Sequence, residues 1–165
     1  MLGLADETVA TLVVLSVTVS FPCFLYGAWI VIDNDPVTWS VLVRHLSFVF
    51  TGLALTTIPM VVWMLPNLLE QFYGFSVLHA VVGLHAYAFL AFALTGIVRI
   101  FRAKWEHDLY HDYDEDLLLS EIGGDRMDHW RSRLRVGVAG YVVLWIVAYL
   151  SGLAQYVTKY GFPPF

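Results

Sequence analysis

Charge is what this chain has least of. Asp, Glu, Lys and Arg make up 14% of its 165 residues, where a soluble domain carries ~25%. That shortage excludes an ordinary water-facing surface. Basic residues are scarcer than acidic ones, 9 against 14, and they form no concentrated face, which disfavours a nucleic-acid partner. A single cysteine, Cys23, excludes an intrachain disulfide and a CxxC redox pair. Within its apolar run it reads as a buried, inert thiol. No glycine-rich phosphate loop and no nucleophile elbow occurs, so no catalytic residue is assigned and an enzyme is disfavoured.

Apolar residues, by contrast, supply 59% of the chain and aromatics 16%, and the mean hydropathy is +0.69. A bilayer span needs ~20 mostly apolar residues. Four runs qualify, at about residues 9–32, 39–65, 74–101 and 134–156. The predicted fold is therefore all-α: a polytopic membrane protein, a bundle of four transmembrane helices forming a single membrane domain. Pro22 and Pro59 fall inside spans one and two and predict kinks. The first run opens on Asp6 and Glu7, has no basic leader and is too long for a signal peptide, so it is expected to persist as a span. No span holds paired carboxylates, and four spans are few for alternating access, so a proton-coupled transporter finds little support.

The connector at 103–133 is the one sizeable aqueous piece. It is acidic, and "AKWEHDLYHDYDEDLLLSEI" predicts an amphipathic helix with Trp105, Leu109, Leu117 and Leu118 against the membrane surface. "GGD" at 123–125 ends it, with Asp128 as the cap of the next helix. Spans alternate sides. Eight of the nine Lys and Arg fall on the side of this connector and only Lys159 on the side of the termini. The positive-inside bias predicts a cytoplasmic connector, extracytoplasmic termini and a multi-pass protein of the cell membrane, with the lipid bilayer as its first partner.

Histidines are the unexpected residues in such a chain. His79 and His85 lie in span three, six positions apart, ~9 Å along a helix and ~120° around it. They do not face one partner, and each needs its own. Buried titratable groups in a membrane face the bundle interior, through a hydrogen bond to a neighbouring helix or through a ligand. Met60 and Met64 in span two stand at i and i+4, on an adjacent antiparallel helix and near the depth of His79. Two thioethers and an imidazole suit Cu(I), and Met60 with His79 would also serve a Met/His haem. Methionines filling gaps beside a proline kink are the plainer alternative. His45, beside Arg44, and His129, before span four, form a second group near the cytoplasmic face, where interface anchoring competes with a binding role. Neither His79 nor His85 has a histidine at its depth on a facing span, so the usual bis-histidine haem arrangement is not visible within one chain. "HDLYH", His107 to His111, has zinc-ligand spacing, but it lies in an acidic surface loop with no clear third ligand and reads as coincidence.

Three stretches, "RHLSF" (44–48), "LHAVVGLHAYAFLAFAL" (78–94) and "DHWRSRLRVGVAGYVVLWIVAYL" (128–150), resemble a family of small four-helix bacterial and archaeal membrane proteins associated with maturation of haem-copper cytochrome oxidase. The resemblance covers roughly residues 44–156, and the acidic loop is similar to haloarchaeal membrane proteins. It implies His45, His79, His85 and His129 as the cofactor-binding set, haem or copper as the cofactor, and respiratory oxidase subunits or other membrane proteins as partners. The expected function is a membrane accessory protein of terminal oxidase assembly. The alternatives are a small b-type cytochrome, or a structural subunit whose histidines only bond helix to helix.

Overall fold

The computed structural model describes residues 6–34, 36–66, 76–111, 122 and 125–161. Four long helices account for most of them: α1 (Asp6–Ile32), α2 (Trp39–Pro59), α3 (Ser76–Glu106) and α4 (Asp125–Tyr160), with α2 continuing into one π-helical turn, Met60–Met64. All four spans are long and apolar enough to cross a membrane, and the protein is a polytopic four-helix bundle. Leu, Val, Ile and Phe side chains lie exposed along the helices. That is the surface a bilayer covers.

The bundle is two hairpins, α1 with α2 and α3 with α4. Small residues set the closeness of the second. Ala80, Ala86, Ala93, Gly96 and Ala103 form the buried stripe of α3. A Cβ on Gly137 of α4 would come within 2.7 Å of the Ala93 backbone, and one on Gly96 within 2.5 Å of the Trp130 carbonyl. In lipid, where apolar burial gives little drive to association, such backbone approach is what holds helices together. The seam between the hairpins is different: α1 meets α4 through long aromatic side chains. Phe21 packs on Trp145 and Tyr149, and Phe24 on Tyr141 and Trp145. Thr11 and Thr18 bond the hydroxyls of Tyr156 and Tyr149 at 2.8 and 3.0 Å. Seven residues separate the pairs on each helix, two turns in each direction of an antiparallel contact.

Several expected boundaries move. Helix α3 runs five residues past the expected span end, and α4 begins at Asp125, so Asp128 lies in its first turn rather than capping it. The connector is correspondingly shorter than residues 103–133. Leu117 and Leu118 lie outside the described residues. Trp105 and Leu109 do not form a membrane-lying helix: after α3 the chain turns through Asp108, at φ 55°, and Tyr110 O accepts a bond from Trp39 N at 2.9 Å. Trp105 packs on Trp39 and Phe101, and Leu109 and Tyr110 are buried. Burial raises the Tyr110 phenol above its ordinary pKa. Pro22 does not interrupt α1, and Cys23 is half-buried rather than enclosed.

Substituting Gly137 with Val should cost about 1–3 kcal/mol of overpacking strain. Gly83→Ala, whose new Cβ meets nothing within 4 Å, should leave stability unchanged or raise it by up to about 1 kcal/mol. Thermal unfolding in one detergent compares the two, and equal losses would show that the small-residue seam does not set the packing.

Candidate functional site

Proline at position 59 has no N–H, so the carbonyl of Leu55 loses its helical donor. In a bilayer that carbonyl cannot turn to water. Ser16 of α1 supplies the missing bond, its hydroxyl donating to Leu55 O at 2.8 Å. Beyond the proline the Met60 N–H is shared between the carbonyls of Thr56 and Thr57. The chain then widens into the π turn, closed by Leu65 N to Met60 O at 2.8 Å. This π turn is the last of the helix, which ends at Leu65. Met60 and Met64, expected one α-turn apart, therefore sit on a wider helix.

Both methionines line a cavity of about 100 Å³ between the two hairpins, together with His79, Tyr87, Trp145 and Tyr149. Its walls come mainly from the π turn of α2 and from α3 and α4, and Val17 is the one residue of α1 among them. Helix α2 meets α3 there through long side chains, with Thr57 Oγ1 and Tyr87 OH 3.0 Å apart. The lining is almost wholly apolar, so the imidazole and the two thioethers are its chemically distinctive groups.

The orientation of His79 is fixed from α4. Its Nδ1 lies 2.8 Å from the carbonyl of Ala148 and 3.4 Å from Ser151 Oγ. A carbonyl only accepts, so Nδ1 carries the proton and Nε2 keeps its lone pair. Gly152 makes room for the ring, since a Cβ there would lie 2.8 Å from its Cε1. A histidine whose Nδ1–H is held by a backbone carbonyl is the usual second-shell arrangement of an Nε2 metal ligand. Among the described residues nothing bonds to Nε2.

The other histidines do not join this site. His85 is bonded through Nδ1 to Val81 O of its own helix at 2.8 Å and lies on the exposed face of α3, away from the interior. The reason is the small-residue stripe: Ala86 and Ala93 face α4, which turns His85 outward. His45 ties α2 to α1 through Nδ1 and Gly27 O at 2.7 Å, beside the contact of Arg44 with the Tyr26 hydroxyl. His129 accepts from Arg133 Nε at 3.1 Å on the exposed surface of α4. His45 and His129 thus have separate partners. His107 bonds Ala103 O and His111 pairs with Asp108 at 2.8 Å, so the "HDLYH" rings also turn to different partners. Among the described residues no group of three or more His, Cys, Asp or Glu converges.

Three lining residues escape a reading centred on histidine: Tyr87, Trp145 and Tyr149. The spacing of Tyr141, Trp145 and Tyr149, every fourth residue, marks an aromatic face of α4 and was the available signal.

The chain belongs to the DUF7321 family, a domain of unknown function, which matches residues 6–161. No curated protein and no solved structure matches it.

His79→Ala should destabilise the protein by about 1–2 kcal/mol through the lost Ala148 hydrogen bond and the space left behind. His85→Ala, on the exposed face, should stay within about 0.5 kcal/mol. Unfolding midpoints in a common detergent decide it, and a reversed order would place the interior on the other side of α3.

Proposed function

We propose that this protein is an integral-membrane accessory of respiratory terminal oxidase assembly that holds a soft metal ion, Cu(I), at Met60, Met64 and His79. The observation that carries the reading is the meeting of these three side chains at one cavity. Thioethers and a neutral imidazole are soft and borderline donors, and together they favour Cu(I) over Zn²⁺ or Mg²⁺. When bound, the ion would bring one-electron redox chemistry or be the cargo itself. The chain's own contribution is to hold the Nδ1 proton on Ala148 O, keep Nε2 as a donor and exclude water with Trp145 and Tyr149.

Copper is favoured over haem by the donor set: two thioethers and one imidazole make three soft or borderline ligands for a single Cu(I) ion, where a haem takes an axial pair. The link to oxidase assembly rests on the sequence resemblance, with oxidase subunits as the partners. The orientation belongs to the same proposal. With the acidic connector and the arginines of the helix ends that flank it in the cytoplasm of a cell-membrane protein, both termini are outside and the cavity, lined by the last residues of α2, lies in the extracytoplasmic half.

Titration of the purified, reduced protein with Cu(I) against a chromogenic chelator should give one ion per chain. Met60→Leu with Met64→Leu, or His79→Phe, should weaken binding at least tenfold, in line with losses on disturbing metal shells. Gly83→Ile, which would extend a side chain into the cavity from a position with open space, should block binding while sparing every donor. His85→Ala should bind as the parent does. Copper affinity unchanged by these substitutions defeats the proposal, and a Soret band in the freshly purified protein would replace it with a b-type cytochrome.

A further inference from the structure

At the opposite end of the bundle, the first turns of α4 carry a notch of about 330 Å³ lined by Asp128, Arg131, Ser132, Arg135 and Val136. These residues stand at i, i+3, i+4, i+7 and i+8, one face of a helix. We propose that this notch binds the head group of a membrane lipid: an anionic phosphodiester whose polar end carries a hydroxyl, such as phosphatidylglycerol.

The order of the residues along the helix carries the argument. From Asp128 to Val136 the axis advances roughly 12 Å. Farthest from the apolar span is a carboxylate, then two guanidiniums and a hydroxyl, then the aliphatic surface where the span begins. A lipid has the same sequence of chemistry from water inward: hydroxylated head, phosphate, acyl chain. Arg131 and Arg135 are one turn apart and can hold one phosphate between them, with Ser132 Oγ as a third donor. Asp128 can only accept when ionised, so it selects a head that offers a hydroxyl and disfavours a bare phosphate beside it.

Two further observations separate this notch from ordinary interfacial charge. Among the described residues neither Arg131 nor Arg135 has an ion-pair or hydrogen-bond partner. Their neighbour Arg133, pointing elsewhere, is engaged by His129 Nε2 at 3.1 Å and lies over the Phe92 ring at 5.8 Å. The basic residues of this segment are thus divided between a structural role and an open site. Juxtamembrane basic residues also gain on the order of a tenfold affinity, or somewhat less, for each cation near an anionic surface.

Native mass spectrometry of the detergent-purified chain, titrated with defined lipids, tests the site. Phosphatidylglycerol should bind one per chain and at least tenfold more tightly than phosphatidylcholine, and added inorganic phosphate should not displace it. Arg131→Gln with Arg135→Gln should abolish the preference, while Arg126→Gln should keep it. Asp128→Ala should weaken phosphatidylglycerol relative to phosphatidic acid, which has no head-group hydroxyl. Equal binding of phosphatidylglycerol and phosphatidylcholine by the unaltered protein overturns the proposal without recourse to any variant. So does an equal loss in Arg126→Gln, which would reduce the effect to bulk charge. Displacement by inorganic phosphate would make the ligand a soluble anion instead. Copper binding is unaffected by each of these outcomes, so this inference and the metal site stand or fall separately.

Discussion

A proline in a membrane helix creates a debt that only the protein can settle, and the arrangement of this bundle follows from how it is met at position 59. The Leu55 carbonyl, left without its helical donor, is bonded by Ser16 from the neighbouring helix. That bond fixes the register of α1 against α2. Downstream the helix opens into the π turn of Met60–Met64, which presents both thioethers to the space between the hairpins. A Ser16→Ala protein would keep the proline and lose its compensation, leaving a carbonyl unsatisfied in hydrocarbon, a far worse condition than the same loss in water.

The bundle also shows a contrast between seams. Where α3 meets α4 around Ala93, Gly96 and Gly137, alanine and glycine let the backbones nearly touch. Where α1 meets α4, rings of Phe21, Phe24, Trp145 and Tyr149 stand between them. The cavity lies beside this seam, with Trp145 and Tyr149 in its wall. His79 belongs to α3 but reaches α4 at Ala148, the point where the tight seam gives way to the open one. Its position is thus the joint product of both kinds of packing.

Much of this was legible in the sequence, and the part that was not has a physical reason. The four spans followed from apolar runs alone. The meeting of His79 with Met60 and Met64 followed from the short α2–α3 link, which sets two helices antiparallel at matched depth. What failed was the attempt to treat His85 as its equal. Polarity in a membrane helix marks a residue that needs a partner, but a histidine can find one in the carbonyl four residues back. The buried face of α3 is written in its smallest side chains, Ala86, Ala93 and Gly96. Hydropathy does not distinguish that face from the lipid-facing one. Nor could the π turn be foreseen, because a proline predicts that the helix must adjust and leaves open whether it bends or widens.

The two ends of the bundle, finally, are packed by different means among the described residues. At the connector end Trp39, Phe101, Trp105 and Tyr110 cluster around the Trp39–Tyr110 backbone bond, and Lys104 lies over the Tyr110 ring at 5.7 Å. Met127 is fully buried beneath the same end. That end is filled. The opposite half holds the cavity, and Met64 and Leu65 of its lining lie in the last turn of α2. Among the described residues the π turn of α2 and the carbonyl-braced ring of His79 form two walls of that cavity, so a helix widened after a proline and a histidine held from the next hairpin meet at one place.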